Sequence, residues 1–216
     1  MRSVLITGGT VRLGAAIANR LRAEGWRVIT SSHRADAGAD IVADLAEPMG
    51  AAKLYAATLQ RLGGMPPDAL VNNAALFTGD AAAIAAVNLE APKKLTMLMA
   101  GREAGVGAIV NILDTKALDA SRRFSTPTDA YLASKHELLA FTRSAAATFA
   151  ATLRVNGVAP GPVMAPTDVH EQAGEMLLDR RPTADDVAAA VSFLLGAEAT
   201  TGAIIPVDAG QNLLQA

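Results

Sequence analysis

The sequence predicts an α/β fold: a doubly wound, mostly parallel seven-stranded sheet with helices on both faces, forming a single domain over residues 1–216. Three observations carry this expectation. Short apolar runs alternate with Ala/Leu-rich stretches of helical length. The 216 residues are enough to enclose one sheet between two helical layers, and too few for a second domain of ordinary size. Hydrophobic residues make up 51% of the chain and aromatics only 4%, so the core is aliphatic and suited to close helix–sheet packing.

In chain order, Ser3–Thr7, Val28–Ser31, Asp40–Ala43, Ala69–Asn72, Ala108–Leu113, Arg154–Val158 and Ile204–Val207 read as strands. The helical segments between most of them serve as right-handed crossovers, which is what a parallel sheet requires. Gly25 fits the stop of the first helix. Thr183, followed by Asp185 and Asp186, fits the start of the last, which Gly196 would close. The connection His33–Ala39 is too short for a crossover helix of about ten residues, so one helix is missing or vestigial. Gly161–Pro182 is the longest irregular stretch and reads as a movable substrate loop.

Composition excludes several classes of function. A net charge of −2 with mixed signs offers no basic stripe for nucleic acid. There is no cysteine, and His33, His136 and His170 lack ligand-like spacing, so no metal is expected. Met1 runs directly into a strand pattern without the marks of a signal peptide, and no apolar run reaches membrane-spanning length. The expected location is cytoplasmic, with no membrane partner.

Directly after the first strand, Thr7-Gly8-Gly9-Thr10-Val11-Arg12-Leu13-Gly14 opens a helix. Gly8 and Gly14 allow a tight turn and a close approach to a pyrophosphate, whose charge the free N–H groups of a helix start would favour. In the first βα turn this is a dinucleotide site, so the fold is of the Rossmann type. The second strand ends Thr30-Ser31-Ser32-His33-Arg34 without an acid to hold a ribose 2′-hydroxyl. His33 and Arg34 are instead donors suited to a 2′-phosphate, which favours NADP(H) over NAD.

The chain also carries Tyr131-Leu132-Ala133-Ser134-Lys135. This spacing puts a phenol and an ammonium one helical turn apart on one face. A phenol with a pKa near ~10 exchanges its proton poorly at neutral pH, and an adjacent cation brings it closer to working range.

Thr-Gly-x-x-x-Arg-Leu-Gly, Asn72-Asn73-Ala74-Ala75, Val87-Asn88-Leu89, Tyr131-x-x-x-Lys135, Arg154-Val155-Asn156-Gly157-Val158 with Pro160-Gly161, and Val207-Asp208-Ala209-Gly210 occur in order along nearly the whole chain. In this order they resemble the short-chain dehydrogenase/reductase family. The resemblance implies that Tyr131 donates the proton and that Lys135 tunes it and holds the cofactor ribose, while Asn88 holds a water in the proton path. Asp44, followed by Leu45, would contact the adenine. Leu13, Asn73, Ala74, Ala75, Pro160, Gly161 and Val163 would line the cofactor.

Three further residues resemble the pteridine reductase branch of that family. Arg12 stands where the family usually has glycine, and in that branch reaches cofactor phosphates and substrate. Asp114 replaces the usual serine after the fifth strand and would bind and protonate a pterin together with Tyr131. Phe77 matches an aromatic that stacks on the pterin. Each has a plainer reading: Arg12 adds a hydrogen bond to pyrophosphate, Asp114 caps a turn, and Phe77 packs a wall. The loop from Asp114 to Tyr131 is about one helical turn longer than expected, so Asp119 or Ser121 could complete the site instead.

The expected activity is NADPH-dependent reduction of a C=N or C=O bond, in a pterin for preference. A ketone, sugar or 3-oxoacyl substrate is the alternative, and a non-catalytic NADP(H) sensor is a reading of another class. The Ala-rich segment Ser144–Ala147 suits helix–helix contact, and the resemblance implies a homodimer or homotetramer.

Overall fold

The computed structural model describes residues 1–102, 105–119, 129–163 and 175–214. Seven strands form one parallel sheet: β1 (Ser3–Thr7), β2 (Arg27–Ser32), β3 (Ile41–Val42), β4 (Ala69–Asn72), β5 (Gly107–Ile112), β6 (Leu153–Pro160) and β7 (Ile204–Val207). Their order is β3-β2-β1-β4-β5-β6-β7, with every pair parallel. The fold is therefore the doubly wound Rossmann type that the alternation of segments predicts.

Alternation of side chains along each strand divides the core in two. Val4, Ile6, Val71 and Val110 face α1 (Arg12–Ala23) and α6 (Ala184–Gly196). Leu5, Leu70 and Ile109 face the other way, toward α2 (Gly50–Arg61), α4 (Ala91–Ala100) and α5 (Ala130–Thr148). The short helix α3 (Ala81–Ala85) runs through a π-helical turn, Ala86–Glu90, into α4.

The two steps from β1 to β2 and from β2 to β3 move the same way across the sheet, so right-handed crossovers place both on the α1 face. The second holds only a 3₁₀ turn, Ala35–Ala37. The missing helix leaves Val42 of β3 54% exposed while its neighbour Ile41 is buried against α2. From β3 to β4 the direction reverses, which opens a crevice beyond the carboxyl ends of β1 and β4.

Local signals set the ends of helices. Thr183 and Asp186 form a reciprocal capping box at the start of α6. Its other end is closed from outside: the guanidinium of Arg154 on β6 donates to the carbonyls of Leu194, Leu195, Ala197 and Thr200 at 2.8–3.3 Å. Arg154→Met leaves these carbonyls without their donor and should lower unfolding free energy by about 2 kcal/mol, read by urea denaturation. A loss below about 0.5 kcal/mol would show that water replaces the guanidinium without cost.

Candidate active site

The crevice at the switch point is a cleft of about 990 Å³. Its cradle begins with Thr7, whose hydroxyl accepts from the main-chain N–H groups of Asn73 and Ala74, both at 3.0 Å. The Asn73 amide donates to the carbonyls of Thr7 and Gly8 at 3.0 Å. Gly14 is required for this approach: a Cβ there would collide with the Gly8 carbonyl oxygen and lie 2.7 Å from the Asn73 amide nitrogen. Gly8 itself takes φ +63°.

The start of α1 fits a bound pyrophosphate. Val11 at the N-cap makes no side-chain capping bond, and the first turn has no acidic residue, in contrast to the filled start of α6. Main-chain donors and the helix dipole are thereby presented to an anion in the cleft. Arg12 lies at this mouth with φ +50°, a left-handed conformation unusual for a residue with a Cβ.

At the other end of the cradle, His33 and Arg34 line the cleft as the sequence predicts. So does Asp36, which the sequence reading misses. It accepts from Arg34 at both Nε and Nη2, at 3.0 and 2.7 Å, with both side chains mostly in solvent. This mutual pairing raises the arginine's pKa and lowers the acid's. An exposed pair of this kind is weakly held, so a phosphate can take over the guanidinium. Asp44 accepts from the Ala46 N–H at 2.8 Å and lines the cleft with the buried Leu45.

The chemical centre is built from β5, α5 and the chain after β4. Lys135 is 2% exposed, and its ammonium donates to the Ile112 carbonyl at 2.8 Å. Burial pushes its pKa down to about 8, against the opposing pull of Asp114. The Tyr131 hydroxyl donates to Oδ2 of Asp114 at 3.1 Å, and the Lys135 ammonium lies 5.7 Å from the Tyr131 ring centre. Oδ1 of Asp114 accepts from the Lys116 N–H at 2.8 Å, which begins the 3₁₀ turn Thr115–Leu118. Burial pushes the Asp114 carboxyl up; these donors and the charges of Lys135 and Lys116 offset this only in part. Phe77 rests on Tyr131 with ring centres 4.7 Å apart and remains 50% exposed at the cleft.

Asp114 reaches Tyr131 while also capping its own turn. Asp119 is not among the residues lining the cleft, and Ser121 lies outside the described residues. Ala74, Ala75, Leu13, Pro160, Gly161 and Val163 line the cleft with the residues above. Of the expected substrate loop, 164–174 falls outside the described residues.

Asn88 stands apart from the cleft wall. Fully buried in the π-turn, its side chain accepts from Leu76 N–H at 2.8 Å and donates to the Leu76 carbonyl and the Ser134 hydroxyl at 2.9 and 3.1 Å. It fastens the chain below Phe77 to the helix that carries Tyr131 and Lys135. Among the described residues no group of His, Cys, Asp and Glu could hold a metal ion, and no helix is long and apolar enough to cross a membrane.

Comparison with known proteins agrees with this geometry. A family model described as enoyl-(acyl carrier protein) reductase matches residues 11–212. The structure of FolM alternative dihydrofolate reductase 1 from Brucella canis, complexed with NADP, is 30% identical with a TM-score of 0.84, covering 98% of this chain and 94% of that one. Pteridine reductase 1 of Leishmania tarentolae is 29% identical over 98% of this chain and 96% of its own length. Levodione reductase of Leifsonia aquatica is likewise 29% identical, over 98% and 94%. The family model spans the start of α1, the Tyr–Lys helix and the last strand, and the chain belongs to the short-chain dehydrogenase/reductase family as an NADP(H)-dependent oxidoreductase.

Proposed function

We propose that the protein reduces a C=N or C=O bond of a pterin, such as a dihydropterin, with NADPH. The observation that carries this reading is the contact of the Tyr131 hydroxyl with Asp114 at 3.1 Å beneath the half-exposed ring of Phe77. A flat heteroaromatic ring suits an aromatic wall. Its ring nitrogens and amino group suit a carboxyl that can both donate and accept, which a raised pKa allows. The likeness to pteridine reductase 1 and to FolM alternative dihydrofolate reductase 1 supports the same reading.

NADPH, when bound, supplies the hydride. Gly8, Leu13, Gly14, Asn73, Ala74 and Ala75 would form its cradle, and His33, Arg34, Asp44 and Leu45 would hold its adenosine end. Pro160, Gly161 and Val163 would cover it. Tyr131 gives its proton to the substrate nitrogen or oxygen that receives the π-electron pair as the hydride joins carbon. The phenol is then reprotonated from solvent. Lys135 stabilises the transient phenolate, and Asp114 orients or protonates the ring. The Asn88 amide is engaged on both its nitrogen and its oxygen, by Leu76 and Ser134, and in the proposed relay Asn88 would hold a water beside Lys135.

A panel of dihydropterins and simple ketones, followed by NADPH oxidation, tests the assignment. Higher kcat/KM on a dihydropterin is expected, whereas exclusive turnover of ketones or acyl thioesters would replace it with the second reading. That reading has its own support in the enoyl-(acyl carrier protein) reductase family model and in levodione reductase.

Arg12→Gly probes the branch-specific arginine. Relief of the left-handed conformation should stabilise the fold by about 1 kcal/mol, after allowing for glycine's larger unfolded-state entropy. KM for NADPH and for the pterin should rise severalfold. A stabilised variant with unchanged KM values would reduce Arg12 to a bystander. The reading also includes a cytoplasmic location and a homodimer or homotetramer. α5 buries Ala145 and Ala146 on the sheet while Ser144 and Ala147 remain exposed to meet a second copy.

A further inference from the structure

The corner Asp208-Ala209-Gly210, which follows β7, lies behind the catalytic carboxyl. Asp208 is only 3% exposed. Its Oδ2 accepts from the Thr115 hydroxyl, and from the main-chain and side-chain nitrogens of Asn212 at 2.9 and 2.7 Å. Its Oδ1 accepts from the Gly210 N–H at 3.0 Å. Burial alone would push this carboxyl up, yet these donors outweigh it and hold the pKa below the ordinary value. A carboxylate held by four donors is a fixed point in the fold.

Three segments meet this corner, one of which, at Gly161, lines the cleft. Thr115, 2% exposed, sits between Asp114 and Lys116, whose N–H is held by Asp114 Oδ1. Gly161, on the turn after β6 that lines the cleft, presses on Asp208: a Cβ built there would stand 2.6 Å from the Asp208 Cβ. The carbonyl of Ala209 accepts from the N–H groups of both Leu177 and Leu178 at 3.0 Å. Ala209 holds this position with φ +56°, a conformation that costs a residue with a Cβ about 1–2 kcal/mol and persists only where surroundings impose it.

We propose that Asp208 is a positioning residue: through Thr115 it fixes the turn that aims Asp114 at Tyr131, and it holds that turn in register with Gly161 and the Leu177–Leu178 segment. The inference rests on the roles given above to Asp114 and Tyr131. Asp208 touches neither of them; it acts through the Thr115 hydroxyl.

The test uses the full chain with Thr115→Val, which removes the hydroxyl, and Thr115→Ser, which keeps it. In Thr115→Val the Lys116 amide should exchange its hydrogen at least about tenfold faster, with amides in the middle of α5 unaffected. Turnover should fall about tenfold to a hundredfold, as misplaced groups in a reacting pair do, with NADPH affinity unchanged. The pH dependence of kcat should also change, because Asp114 no longer holds one geometry. Thr115→Ser should restore both exchange and kcat. Unaltered Lys116 exchange in Thr115→Val, or failure of Thr115→Ser to restore it, overturns the proposal. The exchange measurement needs no substrate. If the parent protein proves inactive on every substrate tried, the pterin reading falls and the amide still decides the role of Asp208.

Discussion

Tyr131→Phe should lower kcat for pterin reduction by about 10²–10⁴-fold, the usual contribution of a positioned acid or base, while leaving NADPH affinity within about twofold. The substitution removes one oxygen and little else. The ring persists, so its contact with Phe77 at 4.7 Å and its place over the Lys135 ammonium persist with it. Asp114 loses the donor at 3.1 Å but keeps the Lys116 N–H at 2.8 Å, so the expected stability loss is about 1 kcal/mol. Chemistry and folding are therefore separable in this variant. Steady-state kinetics beside NADPH titration and urea denaturation would show it, and turnover within about threefold of the parent would remove Tyr131 from the mechanism.

The sheet is legible in the sequence because its strands are short apolar runs separated by helices, so β1 and β4, fully buried, and β7, only partly buried, are read to the residue. β3 is shorter than expected, Ile41–Val42 instead of Asp40–Ala43. The Asp40 carboxylate turns back to the Thr30 N–H and hydroxyl at 2.8 Å, and the helix that would have covered this edge is absent. The π-turn around Asn88 cannot be read from periodicity. It is made by a tertiary cause, the two hydrogen bonds that tie the Asn88 amide to Leu76.

The site follows the same division. Residues carried by local patterns, such as the cradle and the Tyr131–Lys135 pair, are found from their spacing read together with the order of the family's motifs along the chain. The contacts that place them are not: Thr115 and Asp208 are 93 residues apart, and only the coordinates bring them together. Asp36 is the miss with a local signal. An acid two residues beyond Arg34 can pair with the same guanidinium that is expected to take the 2′-phosphate.

Lys135 makes the second large prediction, and it concerns stability. Its pKa is about 8 in the folded chain against 10.5 in its ordinary state, because burial disfavours the ammonium. Between those values the unfolded chain binds more protons than the folded one, so stability rises with pH. The gain is complete above about 10.5 and absent below about 8, and amounts to about 3 kcal/mol. Keeping a charged lysine at neutral pH is thus a cost of the site, met by the Ile112 carbonyl and the Asp114 carboxyl, and in the proposed mechanism this charge stabilises the phenolate. Tyr55, whose buried phenol is pushed up, adds a slope of opposite sign at the alkaline end, but it is common to parent and variant. Lys135→Met should therefore lose this rise, so that in urea denaturation the parent gains about 3 kcal/mol of stability on the variant between pH 8 and 10.5, with activity lost. Parallel curves for the two proteins would mean that the amine is solvated in solution, and the buried ammonium at the centre of the mechanism would go with it.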